Sequence, residues 1–324
     1  MKTIRWGIIG CGNVTEKKSG PGFQKAEGSA LVAVMRRDGQ KAADYARRHN
    51  VPVWYDDAQK LIDDPNVDAI YIATHPNTHM EYTLKAAKAG KPVYCEKPLG
   101  ISSEQSKAMV AFCKRQGVPF YSAYYRRALP KYLKIKDMLD SGILGEIRYV
   151  HVEMHQSIAE VDMQEGGSWR VNAELSGGGR FLDVGSHALD LLDWYLGPIT
   201  SAQGYTENQS KTYQAEDILT GSWMTDAKVM GSGIFCFNTF KDEDCTTICG
   251  SKGEISYSVL DLEEPITLRT AENTTLIEVD KAPEHVAQPL IQTVVDSLLG
   301  KGSCQSTGES GSRTDWVMEK LQGR

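Results

Sequence analysis

The run Ile4 to Ile9 passes directly into Gly10-Cys11-Gly12-Asn13-Val14-Thr15, and this junction constrains the fold more than any other part of the chain. A short apolar run ending in two glycines one residue apart reads as a buried strand that turns sharply into a helix. The first glycine permits the tight turn. The second lets the backbone approach a diphosphate, which then rests on the N–H groups of a helix start, here Gly12, Asn13 and Val14. The third position of G-x-G-x-x-G is Thr15, neither Gly nor Ala, which implies slightly looser helix–strand packing.

The following segments keep the same rhythm. Leu31 to Met35, Val67 to Ala73, Pro92 to Cys95 and Pro119 to Ala123 read as strands. Gln40 to His49, Ala58 to Asp63, His79 to Ala89 and Ser102 to Gln116 read as helices, several stopped by Gly90, Gly117 or Pro119. Strand and helix in alternation predict βαβ units and a parallel sheet. Near Tyr124 the rhythm changes. Pro130 to Ser141 is an amphipathic helix, Ile147 to His155 alternates with period two, and Val184 to Leu196 is a helix stopped by Gly197-Pro198. Short strands then fill Ala202 to about Val279, and a last helix or two follows Pro289. The expected fold is α/β: an N-terminal Rossmann parallel sheet plus a C-terminal α+β domain with a large, mostly antiparallel open sheet.

At 324 residues the chain exceeds what one core comfortably supports, so two domains are expected, 1–123 for the dinucleotide and 124–324 for substrate and oligomerisation. A net charge of −6 disfavours nucleic acid and anionic lipid as partners. No apolar run reaches the roughly 20 residues of a membrane span. The start, Met1 to Gly10, has a basic residue and a short apolar stretch but leads into the glycine turn with no suitable cleavage site, so it reads as a strand rather than a signal peptide. Seven cysteines without tight pairing fit reduced thiols and a cytoplasmic location.

The end of the second strand bears on which dinucleotide is bound. NAD sites place Asp or Glu there to accept from the ribose 2′-OH. This chain reads Val34-Met35-Arg36-Arg37-Asp38, with Arg36 at the acidic position and Arg37 behind it. Guanidinium groups grip a 2′-phosphate that a carboxylate repels, so NADP is expected ahead of NAD. The alternative is that both arginines belong to a solvated turn and Asp38 serves the ribose.

Two longer stretches carry a family likeness. Ile72-Ala73-Thr74-His75-Pro76-Asn77-Thr78-His79, followed by Gly90-Lys91-Pro92-Val93-Tyr94-Cys95-Glu96-Lys97-Pro98-Leu99, resembles the glucose–fructose oxidoreductase/inositol dehydrogenase (Gfo/Idh/MocA) family. Gly177 to Asp190 resembles its catalytic segment, and the likeness covers essentially the whole chain. It implies an oxidoreductase moving a hydride between NADP(H) and a sugar, polyol or cyclitol, assembled as a homodimer or homotetramer through the open sheet. It also implies a cis proline at Pro98.

The residues agree with that chemistry. Hydride transfer at a carbinol needs a group that moves the hydroxyl proton and a donor for the developing oxyanion. Lys97 suits the second task, and by resemblance helps relay the proton. Histidine is the side chain suited to proton transfer near neutral pH, and His187 is the candidate acid/base. Asp183, four residues earlier on the same helix face, can orient His187 or bind a substrate hydroxyl. The expected cofactor contacts are Gly10, Gly12, Asn13, Val14, Arg36, Arg37, Thr74, Pro76, Asn77, His79, Glu96 and Lys97, with Trp169 shielding the nicotinamide and Arg170 meeting the cofactor by resemblance. His79 can equally cap its helix. Tyr125 and Arg126 join Lys97, Asp183 and His187 as substrate candidates, with interdomain packing as the plainer reading.

No metal is expected. His151, Glu153 and His155 share a strand face, but roughly 7 Å separates alternate positions on a strand, too far to chelate comfortably. Cys245 and Cys249 lack a second ligand pair at zinc spacing. Two other functions stay open: a redox-neutral glycosidase of the same fold that retains NAD, and a non-enzymatic nucleotide sensor. Keeping Lys97, Asp183 and His187 together argues against the sensor.

Overall fold

The computed structural model describes residues 3–324; Met1 and Lys2, the head of the expected first domain, lie outside the described residues. The chain folds into two compact units. One comprises the chain up to Gly100, Glu104–Ala128 and Pro283–Ser312. The other comprises Ile101–Ser103, Leu129–Ala282 and Arg313–Arg324. The expected boundary after residue 123 thus falls slightly short of Ala128. A single boundary also leaves out the return of Pro283–Ser312 to the first unit.

The first unit is built on a parallel sheet of β1 Ile4–Ile9, β2 Ser29–Met35, β3 Val53–Tyr55, β4 Ala69–Ile72, β5 Val93–Cys95 and β6 Phe120–Ser122. Among the described residues its order is β3-β2-β1-β4-β5-β6. The order reverses between β1 and β4, so a crevice opens there at the carboxyl ends of the strands. The strands read as continuous apolar runs because both faces are covered. On one face, Trp6, Phe23, Tyr71 and Tyr94 stack with ring centres 4.9 to 5.1 Å apart along the row. Leu290, Ile291, Val294 and Val295 of the helix Gln288–Leu298 complete that core. On the other face, Leu61, Ile62, Ala86, Ala87 and Met109 come from the helices Ala58–Asp63, Pro76–Lys88 and Ser103–Arg115. β6 closes the edge, where Tyr121 bridges to Thr307 of the returning segment.

In the second unit β7 Ile147–His155, β8 Ile199–Glu207, β9 Ile218–Thr225, β10 Met230–Cys236, β11 Glu243–Gly250, β12 Gly253–Tyr257, β13 Ile266–Thr270 and β14 Thr274–Ile277 form one sheet. Among the described residues its order is β14-β13-β12-β11-β7-β10-β9-β8, antiparallel except where β10 meets β7. Val150, Val152, Met154, Phe235 and Ile248 point to the buried face. The helix Arg180–Leu196 lies on it, with Phe181 against Phe235 at 4.8 Å. Tyr195 Oη donates to the carbonyl of Tyr132, tying that helix to Pro130–Asp140. The C-terminal helix is fastened through Arg313 and the buried Asp193. No helix of the described residues is long and apolar enough to cross a membrane.

Candidate active site

The glycine turn sits where β1 ends. The amides of Gly10 and Cys11 both donate to Met35 O, at 2.9 and 3.1 Å, which ties the turn to the end of β2. Gly10 has φ +96, and a Cβ there would come within 2.7 Å of Thr74 Cγ2 and 3.0 Å of the Ala73 carbonyl. A side chain is excluded by both backbone conformation and space. Gly12 differs: a Cβ would meet nothing nearer than Gly10 O at 3.8 Å. The chain leaves open the space over this turn that a diphosphate requires, so the residues fit a dinucleotide.

Gly12 caps the helix Asn13–Lys17. Thr15 does not loosen the packing as its position suggested. It is fully buried; its Oγ1 accepts from Gly12 N at 2.9 Å and donates to Gly12 O at 2.8 Å. Tyr45 Oη donates to Thr15 O at 2.8 Å. Asn13 is exposed and Val14 half-buried at this helix start. Behind it Glu16 receives Arg48 through two bonds of 2.8 Å and meets His49 at 2.7 Å. The Arg48 guanidinium is the main reason the Glu16 carboxyl is held down at about 2.

At the end of β2, Arg36 is half-buried and its Nη1 donates to Cys11 O at 3.3 Å, so the guanidinium lies at the rim of the glycine turn. Arg37 is exposed. Asp38 is the N-cap of the helix Gly39–Arg48: its carboxylate accepts from Lys41 N at 3.2 Å and pairs with Lys41 Nζ at 3.1 Å. The backbone N–H of Lys41 is the leading cause that lowers its pKa. The carboxylate that served as the alternative ribose acceptor caps this helix and is exposed.

Thr74 follows β4, half-buried, with Thr78 Oγ1 donating to its Oγ1 at 2.8 Å. The helix begins at Pro76, three residues earlier than expected, which puts Pro76 and exposed Asn77 in its first turn. His79, expected among the cofactor contacts, is instead fully buried. Its Nε2 lies 3.0 Å from Thr74 O and its Nδ1 3.0 Å from Pro98 O. Burial pushes the imidazole down to about 4, and the neutral ring, with its single N–H, donates to only one of these two carbonyls. It braces the Thr74 loop against the segment that carries Lys97.

Glu96 and Lys97 follow β5, both half-buried. Tyr71 Oη donates to Glu96 Oε1 at 2.5 Å, and Lys97 N donates to Glu96 Oε2 at 3.2 Å. Withdrawal from water raises the Glu96 pKa against the pull of these partners. The Lys97–Pro98 peptide is cis, as the resemblance implied. Tyr125 and Arg126 lie in a short 3-10 turn, Tyr125–Ala128; Arg126 is buried, its Nη1 donating to Tyr125 Oη at 3.0 Å.

In the second unit, Trp169 and Arg170 occupy a 3-10 turn, and Asp183 and His187 lie one helical turn apart on Arg180–Leu196. Arg170 was expected to meet the cofactor. Its Nε donates to Asp183 Oδ2 at 2.5 Å, and its guanidinium lies 4.7 Å from the Trp169 ring centre. His187 is buried and Asp183 half-buried. Residues that sequence reasoning missed hold this helix start. Gly179 N donates to Glu216 Oε1 at 2.8 Å, and Gln322 Nε2 donates to the same oxygen at 2.7 Å. A Cβ on Gly179 would run into the Glu216 carbonyl, which explains the end of the glycine run. Arg180 pairs with the buried Asp162. Only Arg180, next to the glycines, carried a signal in sequence; its partners are remote.

His151 Nδ1 lies 2.9 Å from Ser232 Oγ, and its Nε2 lies 3.9 Å from Glu153. Among the described residues no group of three His, Cys, Asp or Glu side chains is arranged to hold a metal ion. A groove of about 420 Å³, lined by Cys113, Lys114, Phe120, Tyr121, Thr307 and Glu309, shares no residue with the site.

Residues 4–124 match the model of an oxidoreductase family with an NAD-binding Rossmann fold, and residues 132–256 match the GFO/IDH/MocA C-terminal domain. Oxidoreductase P35 of Formosa agariphila is 36% identical over 99% of this chain and 98% of its own length. A 1,5-anhydro-D-fructose reductase of Ensifer adhaerens is 26% identical over 95% of this chain and 92% of its own. Among solved structures, levoglucosan dehydrogenase in complex with NADH and levoglucosan superposes with a TM-score of 0.86 at 20% identity, covering 99% of this chain and 96% of that one. At that identity the likeness speaks to the fold.

Proposed function

This chain belongs to the Gfo/Idh/MocA family and is an oxidoreductase acting on CH–OH groups, and from that premise we propose that it moves a hydride between NADP(H) and a sugar, polyol or cyclitol. The relative named for 1,5-anhydro-D-fructose supports the substrate class. One observation carries the cofactor reading: Arg36 is held at the glycine turn by Cys11 O while Asp38 is engaged by Lys41. A 2′-phosphate at this rim meets a guanidinium, and the nearby Asp38 carboxylate is paired with Lys41.

The nicotinamide, when bound, supplies or accepts the hydride. In the direction of oxidation, Lys97 donates a hydrogen bond to the substrate oxygen as the carbonyl forms, and His187 takes the hydroxyl proton. In reduction the same two groups return a proton to the alkoxide. Asp183 binds a substrate hydroxyl or orients His187, and its charge is balanced by Arg170. The glycine turn, Thr74 and Glu96 border the dinucleotide, and Trp169 shields the nicotinamide.

We assign the outer face of the eight-stranded sheet to self-association as a dimer or tetramer. Tyr149 and Met230 are neighbours there across β7 and β10, and Tyr205 is 82% exposed. Seven free thiols, five of them buried, suit a reducing cytoplasm.

The test is titration with NADPH and NADH after any retained nucleotide has been assayed, followed by a screen of sugars and polyols for NADP-linked turnover. Tighter binding of NADPH and turnover of at least one such substrate is the expected result. Tightly retained NAD with redox-neutral turnover would replace this reading with the glycosidase.

A further inference from the structure

We propose that His285, remote in sequence from the glycine turn, is a positioning residue for the dinucleotide site. It fixes the broken helix behind Gly12, and affinity for the dinucleotide depends on it. The inference rests on reading Gly10 to Val14 as the diphosphate turn.

The helix entered at Gly12 lasts only Asn13–Lys17; the chain bends at Lys18 and Ser19 and resumes as Gly20–Lys25. A helix that stops so soon leaves its last carbonyls without partners of its own. Two are taken by the segment that returns to this unit near the C-terminus. His285 Nδ1 lies 2.7 Å from Lys17 O, and Ala287 N donates to Lys18 O at 3.2 Å.

A bond to a carbonyl puts the ring proton on Nδ1 and leaves Nε2 as an acceptor. Lys25 Nζ stands 2.8 Å from that Nε2. Buried His285 therefore touches both pieces of the helix at once, in one tautomer: it donates to the last residue of the first and accepts from the last residue of the second. Glu284 lies 3.6 Å from His285 Nε2 and 3.7 Å from Lys25 Nζ, which balances the ammonium. One turn further, Gln292 Oε1 accepts from Glu27 N at 2.7 Å and its Nε2 donates to Glu27 O at 3.2 Å. Beneath these bonds Leu290 and Ile291 share a core with Phe23 and Trp6.

The sheet and Tyr45 hold the front of the turn, and the returning segment holds its back. Amides that bind a diphosphate contribute most when their directions are fixed beforehand. Loss of the strut at Lys17 frees the helix whose first turn carries them, and this cost appears in nucleotide affinity.

NADPH fluorescence titration of the wild type, His285→Ala, His285→Gln and Lys25→Met, each with a thermal melt, tests the proposal. His285→Ala should weaken NADPH about tenfold, the equivalent of one buried hydrogen bond. His285→Gln, whose amide can both donate and accept, should recover affinity to within about threefold of wild type. Lys25→Met keeps the Lys17 bond and should weaken binding about threefold; it decides the matter if His285→Ala does not fold. A lowered melting point with unchanged affinity, or no recovery in His285→Gln, overturns the positioning role while leaving the dinucleotide site standing. A wild type that binds neither NADPH nor NADH overturns both.

Discussion

Arg170 and Asp183 form an ion pair 2.5 Å long across 13 residues, with the guanidinium lying over Trp169. The carboxylate proposed to face substrate therefore has one oxygen committed to a cation held in place by an indole. Such stacking restricts the guanidinium and makes the pair more than a loose surface contact. Arg170→Met, Asp183→Asn and the double variant, unfolded in urea, should show a coupling of about 0.5–1 kcal/mol. Strict additivity would mean that the pair has no thermodynamic weight.

The two glycines of the turn should fail in different ways. Gly10→Ala meets backbone at 3.0 Å in a left-handed conformation and should cost the fold about 1–3 kcal/mol. Gly12→Ala has open space and should leave the melting point nearly unchanged while abolishing NADPH binding. Equal loss of stability in both would show that Gly12 is structural.

Lys97 is assigned to the reacting oxygen. Lys97→Met should lower kcat at least about 100-fold while NADPH affinity changes by less than about threefold. Intact turnover in a folded variant that still binds NADPH would remove Lys97 from the chemistry.

Acid should destabilise the first unit in two separate windows. His79 is pushed down to about 4 by burial, so an unfolded histidine takes up a proton that the folded one refuses. Stability present above the usual histidine range is then lost as pH falls from about 6.5 to about 4, by about 3 kcal/mol at most. Glu16 is held at about 2, so its contribution is present above the usual glutamate range and lost as pH falls from about 4.5 to about 2. Its partial exposure reduces that second loss to about 1 kcal/mol. Urea midpoints across pH 2 to 8 for the wild type, His79→Gln and Glu16→Gln separate the two; a slope between pH 4 and 6.5 that survives in His79→Gln contradicts the first assignment.

The long periodic elements were legible because burial on both sides of a parallel sheet leaves apolar runs. Ile4–Ile9, Ala58–Asp63 and Ile147–His155 have the expected bounds. β3 was not anticipated, since three residues after Pro52 show no period. The Glu-Lys-Pro stretch and the Asp183–His187 spacing pointed to their elements because each lies within one local segment. What stayed hidden depends on remote partners. Nothing near Thr15 announces that Tyr45 will bury it, and nothing near Gly179 announces Glu216. His79 looked like a ligand because its burial against Pro98 is not encoded beside it. The return of Pro283–Ser312 to the first unit follows from packing on Phe23, which no local pattern reveals.

The central claim is tested most directly by measuring dissociation constants of NADPH and NADH for the wild type and Arg36→Asp. The wild type should bind NADPH at least about tenfold more tightly, and Arg36→Asp should reverse the order by repelling the 2′-phosphate. Equal affinities in the wild type, or a ratio unmoved by Arg36→Asp, would contradict it.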